Sequence, residues 1–172
     1  MDSYDVWVEE QYFKQLEEKD MSDKVQPNEG KTFIAVYGSL RTGESNFHVN
    51  ARGNGVFVGK GKTKDNHNLY RYAGCYFPSV SLVHNSHGVP VVVEVFEAPN
   101  DRTGLKGSYD SLEGYRENDP VHNFYNRTQI PIVLDDGREL DAWIYHIDEE
   151  QSEGVADGDW CKYLAEVKAG RN

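Results

Sequence analysis

Between residues 32 and 147 the chain is a succession of short β-rich segments separated by turn residues, and helical periodicity interrupts it once. The segments predicted as strands are 32–37, 55–63, 69–72, 79–84, 89–97, 125–134 and 139–147. Asn85-Ser86-His87-Gly88 and Asp135-Asp136-Gly137 carry the residues that tight hairpin turns require. Helices are expected only over 100–113 and 159–168. Because helices do not alternate with strands, a doubly wound parallel sheet is disfavoured. The expectation is an α+β fold in which the strands of 32–147 form one mixed barrel-like sheet with a few flanking helices.

At 172 residues the chain suits one domain with a real core, and 11 Tyr, 7 Phe and 3 Trp are too many aromatics for a disordered polymer. The turn-forming Gln26-Pro27-Asn28-Glu29-Gly30 separates an N-terminal extension, residues 1–30, from a domain over 31–172. In the extension Val8, Tyr12 and Leu16 make a short amphipathic stripe, which reads either as a helical arm able to contact a protein or as a frayed tail. A net charge of −11 repels phosphate backbones and anionic lipid, so nucleic acid and membrane surfaces are not expected partners. The apolar run at Val91-Val92-Val93 stops at Glu94, and the first residues show no secretory pattern. Cys75 and Cys161 form no disulfide framework, which points to reduced thiols and a cytoplasmic location.

Most chemical motifs fail on context. Gly53-Asn54-Gly55 and Gly59-Lys60-Gly61 lack a following helix and read as strand ends or bulges rather than a phosphate loop. His84 and His87 lie on an expected turn with no further ligands, so no metal is expected. Ser39 is not in a nucleophile elbow, and neither cysteine has a neighbouring base. Two segments remain. In Tyr37-Gly38-Ser39-Leu40-Arg41 a strand runs into a small-residue turn, which is either an anion-binding concavity of backbone amides or a plain strand-to-helix turn capped by Ser45. In the second, Leu105, Tyr109 and Leu112 share a helical face, Asp110 and Glu113 lie on an adjoining one, and Gly114 fits the C′ position. Glu113 is then either an ordinary solvated acid or a general base. A raised pKa would come from the helix end and from the charge of Asp110.

Taken in order, these segments resemble the γ-glutamylcyclotransferase-like family, which includes γ-glutamylamine cyclotransferases and AIG2-type proteins. The resemblance rests on Tyr37-Gly38-Ser39-Leu40-Arg41, Tyr76-Phe77-Pro78-Ser79-Val80, the strand around 91–96, Asp110-Ser111-Leu112-Glu113-Gly114, Tyr125-Asn126-Arg127 and Gly158-Asp159-Trp160. It spans about residues 32–163. Tyr109 stands where the family usually has an apolar residue, 115–124 departs from the pattern, and residues 1–30 have no counterpart.

The resemblance implies an enzyme that releases 5-oxoproline from a γ-glutamyl compound by attack of the substrate's own α-amine, an acyl transfer or lyase reaction needing no cofactor. It implies substrate binding by Tyr37, Gly38, Ser39, Leu40 and Tyr125, with Glu113 as proton acceptor and donor. The alternative is a non-catalytic γ-glutamyl-binding or regulatory module of the same fold.

Overall fold

The computed structural model describes residues 8–11, 24–83 and 86–170. Tyr12, Leu16 and His84 therefore lie outside the described residues, while residues 8–11 are helical. The strands are β1 (Lys31–Val36), β2 (Val56–Thr63), β3 (Asn68–Arg71), β4 (Pro78–Ser81), β5 (Val92–Pro99), β6 (Asn126–Leu134), β7 (Glu139–His146) and β8 (Glu153–Gly154). The helices are α1 (His48–Arg52), α2 (Asp110–Glu113) and α3 (Trp160–Lys168).

Five strands close into a barrel in the order β1-β5-β2-β6-β7. Every neighbouring pair is antiparallel except β7 on β1, which is parallel and closes the ring. Alternate residues of β1 pack into two different cores, which explains why its sequence is apolar without alternation. Phe33, Ala35 and Tyr37 join Val93, Val95, Ile132, Leu140 and Ile144 in one. Ile34 and Val36 join Phe96, Leu105, Tyr109 and Tyr145 in the other, beneath α1 and the turn before α2.

Expectation and structure part in three places. The strands of 32–147 do not make one sheet, because β3 and β4 pair with β8 in a separate three-stranded sheet of order β4-β3-β8. These strands are short, and β4 opens on Pro78, which cannot donate to a ladder. It follows that the connection from β4 to β5 joins two sheets and closes no β4–β5 hairpin, and Asn85 of the expected turn lies outside the described residues. By contrast, Asp135-Asp136-Gly137 closes the β6–β7 hairpin, with Gly137 at φ 91°. Helix α1 has only five residues, too few for a periodic signal, and begins without a side-chain cap, so Ser45 does not cap it. Gly55 directly precedes β2 as expected, but Gly53 follows α1 instead of ending a strand, and both leave room for Tyr109: a Cβ on Gly53 would lie 2.5 Å from its ring and one on Gly55 would meet its hydroxyl.

The loop after β1 is held by a buried ionic cluster. Arg41 Nε donates to Glu94 on β5 at 3.1 Å, and its Nη1 donates to Asp159 at 2.8 Å. The Thr42 amide and hydroxyl also donate to Glu94, and Asp159 caps α3 by accepting from the Lys162 amide. Beside it, Gly158 at φ 71° presents its carbonyl to the Val92 amide at 2.9 Å. A Cβ there would lie 2.5 Å from the Pro90 carbonyl oxygen. Gly158→Ala is therefore expected to cost about 1–3 kcal/mol. Chemical denaturation should show a lower midpoint at an unchanged slope.

Candidate active site

Glu113 owes its position to the way its helix begins and ends. Residues Leu105–Tyr109 form a wide π-helical turn that runs directly into α2. The wide turn breaks α-helical phase, so Leu105 and Tyr109 are buried while Leu112 is exposed at 39%. This corrects the expectation that all three share one buried face. At the other end Gly114 adopts the left-handed conformation, with Gly114 N donating to Ser111 O and Tyr115 N to Asp110 O at 3.4 and 2.9 Å. That is the Schellman arrangement, and Gly114 stands at C′ as expected.

Asp110 fixes the rotation of this helix. The Arg127 guanidinium on β6 grips it in two-pronged fashion, with Nε 2.9 Å from Oδ1 and Nη2 3.3 Å from Oδ2. Tyr145 on β7 donates its hydroxyl to the same Oδ1 at 2.6 Å. Arg127 is itself stacked between the rings of Tyr115 and Trp143, 4.4 and 4.6 Å from their centroids. With Asp110 turned towards β6 and β7, Glu113 one turn later faces a cavity of about 250 Å³.

Tyr37, Gly38, Ser39, Leu40, Glu113 and Tyr125 all line this one cavity. Asn46, Phe77, Pro78, Leu112, Phe124 and Tyr145 also line it, and sequence reasoning gave them no role at the site. Tyr37 and Tyr125 spend their hydroxyls on the scaffold. Tyr37 donates to the Tyr145 carbonyl at 2.7 Å and accepts from the Val80 amide, and Tyr125 donates to the Pro78 carbonyl at 2.7 Å. They tie the barrel to the small sheet and offer the cavity their rings. Burial holds both phenols well above their usual range, reinforced by Tyr125 and Glu113 at Tyr37 and by Glu113 and Tyr72 at Tyr125.

The turn at 38–40 comes close to β4, where a Cβ on Gly38 would sit 2.8 Å from Pro78 Cγ. Ser39 accepts from Asn46 Nδ2 at 2.9 Å, and Leu40's carbonyl accepts from Asn50 at 2.8 Å. Among the described residues, the amides of Gly38, Ser39 and Leu40 donate to no other protein group.

The Glu113 side chain has neither a hydrogen bond nor an ion pair among the described residues. It is only half-buried by exposed area, yet the protein around the cavity desolvates it and pushes its carboxyl up to about 7. Burial is the cause; the Asp110 charge expected to contribute is already engaged by Arg127. No lining side chain among the described residues is cationic. Among the described residues no cluster of His, Cys, Asp or Glu could hold a metal, and no helix is long and apolar enough to cross a membrane.

Comparison with known proteins places the chain in a family. The model of the family described as γ-glutamyl cyclotransferase, AIG2-like, matches residues 34–162. The chain belongs to this family. A Methanocaldococcus jannaschii protein named as a candidate γ-glutamylcyclotransferase is 36% identical over 131 residues, covering 76% of this chain and 97% of its own length. A Drosophila melanogaster protein named in the same way is 30% identical over 117 residues, covering 66% and 68%. The fold matches the crystal structure of a Mus musculus AIG2-like protein with a TM-score of 0.60 at 21% identity, covering 75% of this chain and 88% of that one.

Removing Asp110 leaves a buried guanidinium without its main partner. Asp110→Ala is expected to cost about 3–5 kcal/mol. A double-mutant cycle with Arg127→Met, measured by equilibrium unfolding, should recover much of that loss.

Proposed function

We propose that the chain is a γ-glutamylcyclotransferase that releases 5-oxoproline from a γ-glutamyl amine or peptide, with Glu113 as its general base and acid. The observation that carries this reading is Glu113 itself: an unpartnered carboxyl facing a cavity, with a proton affinity near neutrality.

The glutamyl head lies against the turn at 38–40, where the free amides of Gly38, Ser39 and Leu40 receive its negative oxygens. The rings of Tyr37 and Tyr125 hold the chain folded, so that the α-amine faces the γ-carbonyl carbon. Such preorganisation can supply on the order of 7–11 kcal/mol of a barrier. The α-amine is protonated near neutrality, with a reference pKa of about 8. Ionised Glu113 takes that proton, and in a desolvated site the neutral pair is favoured over two separated charges. The freed amine nitrogen bonds to the γ-carbon. The bond from that carbon to the leaving nitrogen breaks as Glu113 returns the proton to it, and the second hydrogen of the attacking nitrogen passes by way of Glu113 to the departing amine, which leaves as an ammonium while the ring keeps one N–H. The sequence needs no protein nucleophile, which fits a cavity in which Ser39 is engaged by Asn46. Because the chain is acidic, the small-molecule substrate is the partner of this site; nucleic acid and membrane are not.

Incubation of the full chain with γ-glutamyl dipeptides, glutathione and γ-glutamyl-lysine should release 5-oxoproline from at least one of them. Glu113→Gln keeps volume and removes the proton acceptor, so turnover should fall by about 10²–10⁴. For the native protein kcat/KM should rise with pH through about 7, as Glu113 ionises, and level off above. Burial raises the folded-state pKa above the unfolded one, so this carboxyl favours the folded state at low pH and penalises it as pH rises towards 7. Glu113→Gln should therefore gain thermal stability relative to the native protein at pH 8 but not at pH 4. An unchanged turnover in Glu113→Gln would remove the chemical basis of the assignment.

A further inference from the structure

Resting on that reading, we infer that the leaving amine is apolar and preferably aromatic, and that Phe124 with Phe77 and Leu112 forms the subsite that selects it. The cavity lining is of two kinds. The turn at 38–40 brings backbone amides and the Ser39 hydroxyl. Phe77, Leu112 and Phe124 bring apolar side chains from three separate segments. Phe77 and Phe124 meet edge to face at 6.0 Å, and Tyr72 stacks on Phe77 at 5.1 Å.

Phe124 is placed by the same backbone that carries the base. Its amide donates to the Gly114 carbonyl at 3.1 Å, and the next amide, of Tyr125, donates to the Glu113 carbonyl at 3.2 Å. A group leaving from the carbon attacked beside Glu113 therefore departs along the Phe124 ring. Phe124 is 46% exposed and Leu112 39% exposed, although both line a cavity that could have buried them. Exposed apolar side chains gathered at the mouth of a site stabilise whatever apolar surface covers them. Among the described residues no cation lines the cavity to receive a carboxylate on the leaving amine, and ionised Glu113 repels one. A leaving amino acid is thus disfavoured where an arylalkylamine is accommodated.

The test compares three γ-glutamyl amides whose leaving groups are all primary alkylamines: the benzylamide, the methylamide and the glycine conjugate. Initial rates of 5-oxoproline release give kcat/KM for each. The expected order is benzylamide, methylamide, glycine conjugate, with benzylamide ahead of methylamide by about tenfold. Phe124→Ala should lower the benzyl-to-methyl ratio towards one, and Phe124→Leu, the gentler change, should lower it partway. Circular dichroism confirms that each variant is folded. Equal kcat/KM for all three amides, preference for the glycine conjugate, or a ratio unmoved in both folded variants overturns the selectivity while leaving the cyclotransferase reading intact. Release of 5-oxoproline from none of the amides overturns the turnover reading and this inference with it.

Discussion

The buried pair between Asp110 and Arg127 is the interaction on which the site depends. A wide helical turn and a short helix have little stability of their own. What fixes them is a carboxylate gripped at 2.9 Å by a guanidinium that the Tyr115 and Trp143 rings hold flat. Burying two charges is weak as a source of stability but demanding in geometry, because each partner is costly to leave alone. The demand is passed along the chain: once Asp110 must face β6 and β7, Glu113 must face the cavity. One acidic residue is satisfied so that another three positions on is not, and that contrast separates a carboxylate bound into the scaffold from one left facing the cavity.

A second ionic cluster does the same for the opposite wall. Arg41 connects the loop after β1 to Glu94 on β5 and to Asp159 at the start of α3. The loop can then leave amides unbonded without collapsing, since its side chains fasten it to barrel and helix. The two clusters stand on either side of the cavity, and the hydroxyls of Tyr37 and Tyr125 brace the space between them against the small sheet.

Much of this was legible in the sequence, for reasons that differ by residue. The barrel strands and the Asp135–Gly137 turn were readable because the barrel core imposes its pattern on each strand separately. Glu113 and the turn at 37–40 stood out because a carboxylate ahead of a C′ glycine and a strand ending in small residues are locally unusual. The purpose of Arg41, Arg127 and Asp159 was not readable, because an ion pair between distant positions leaves no local mark. Leu112 was misplaced because a π-turn slips the phase that periodicity assumes. The second sheet was missed because nothing in β3 or β4 alone says which neighbour will pair with it.

The division between β6 and the segment leading into it has a consequence for how such a site can change. Tyr125 and Arg127 stand at the start of β6, and the hydroxyl of one and the guanidinium of the other brace the scaffold. Phe124, one residue earlier, carries no such bond; its ring rests on other rings and on solvent. A change at Phe124 can therefore reshape the mouth of the cavity at small cost in folding, whereas Tyr115, earlier in the same segment, is tied to the Arg127 guanidinium. Scaffold and cavity mouth thus part company within one peptide unit, so a lineage can remodel what the mouth touches while the bonds that aim Glu113 stay as they are.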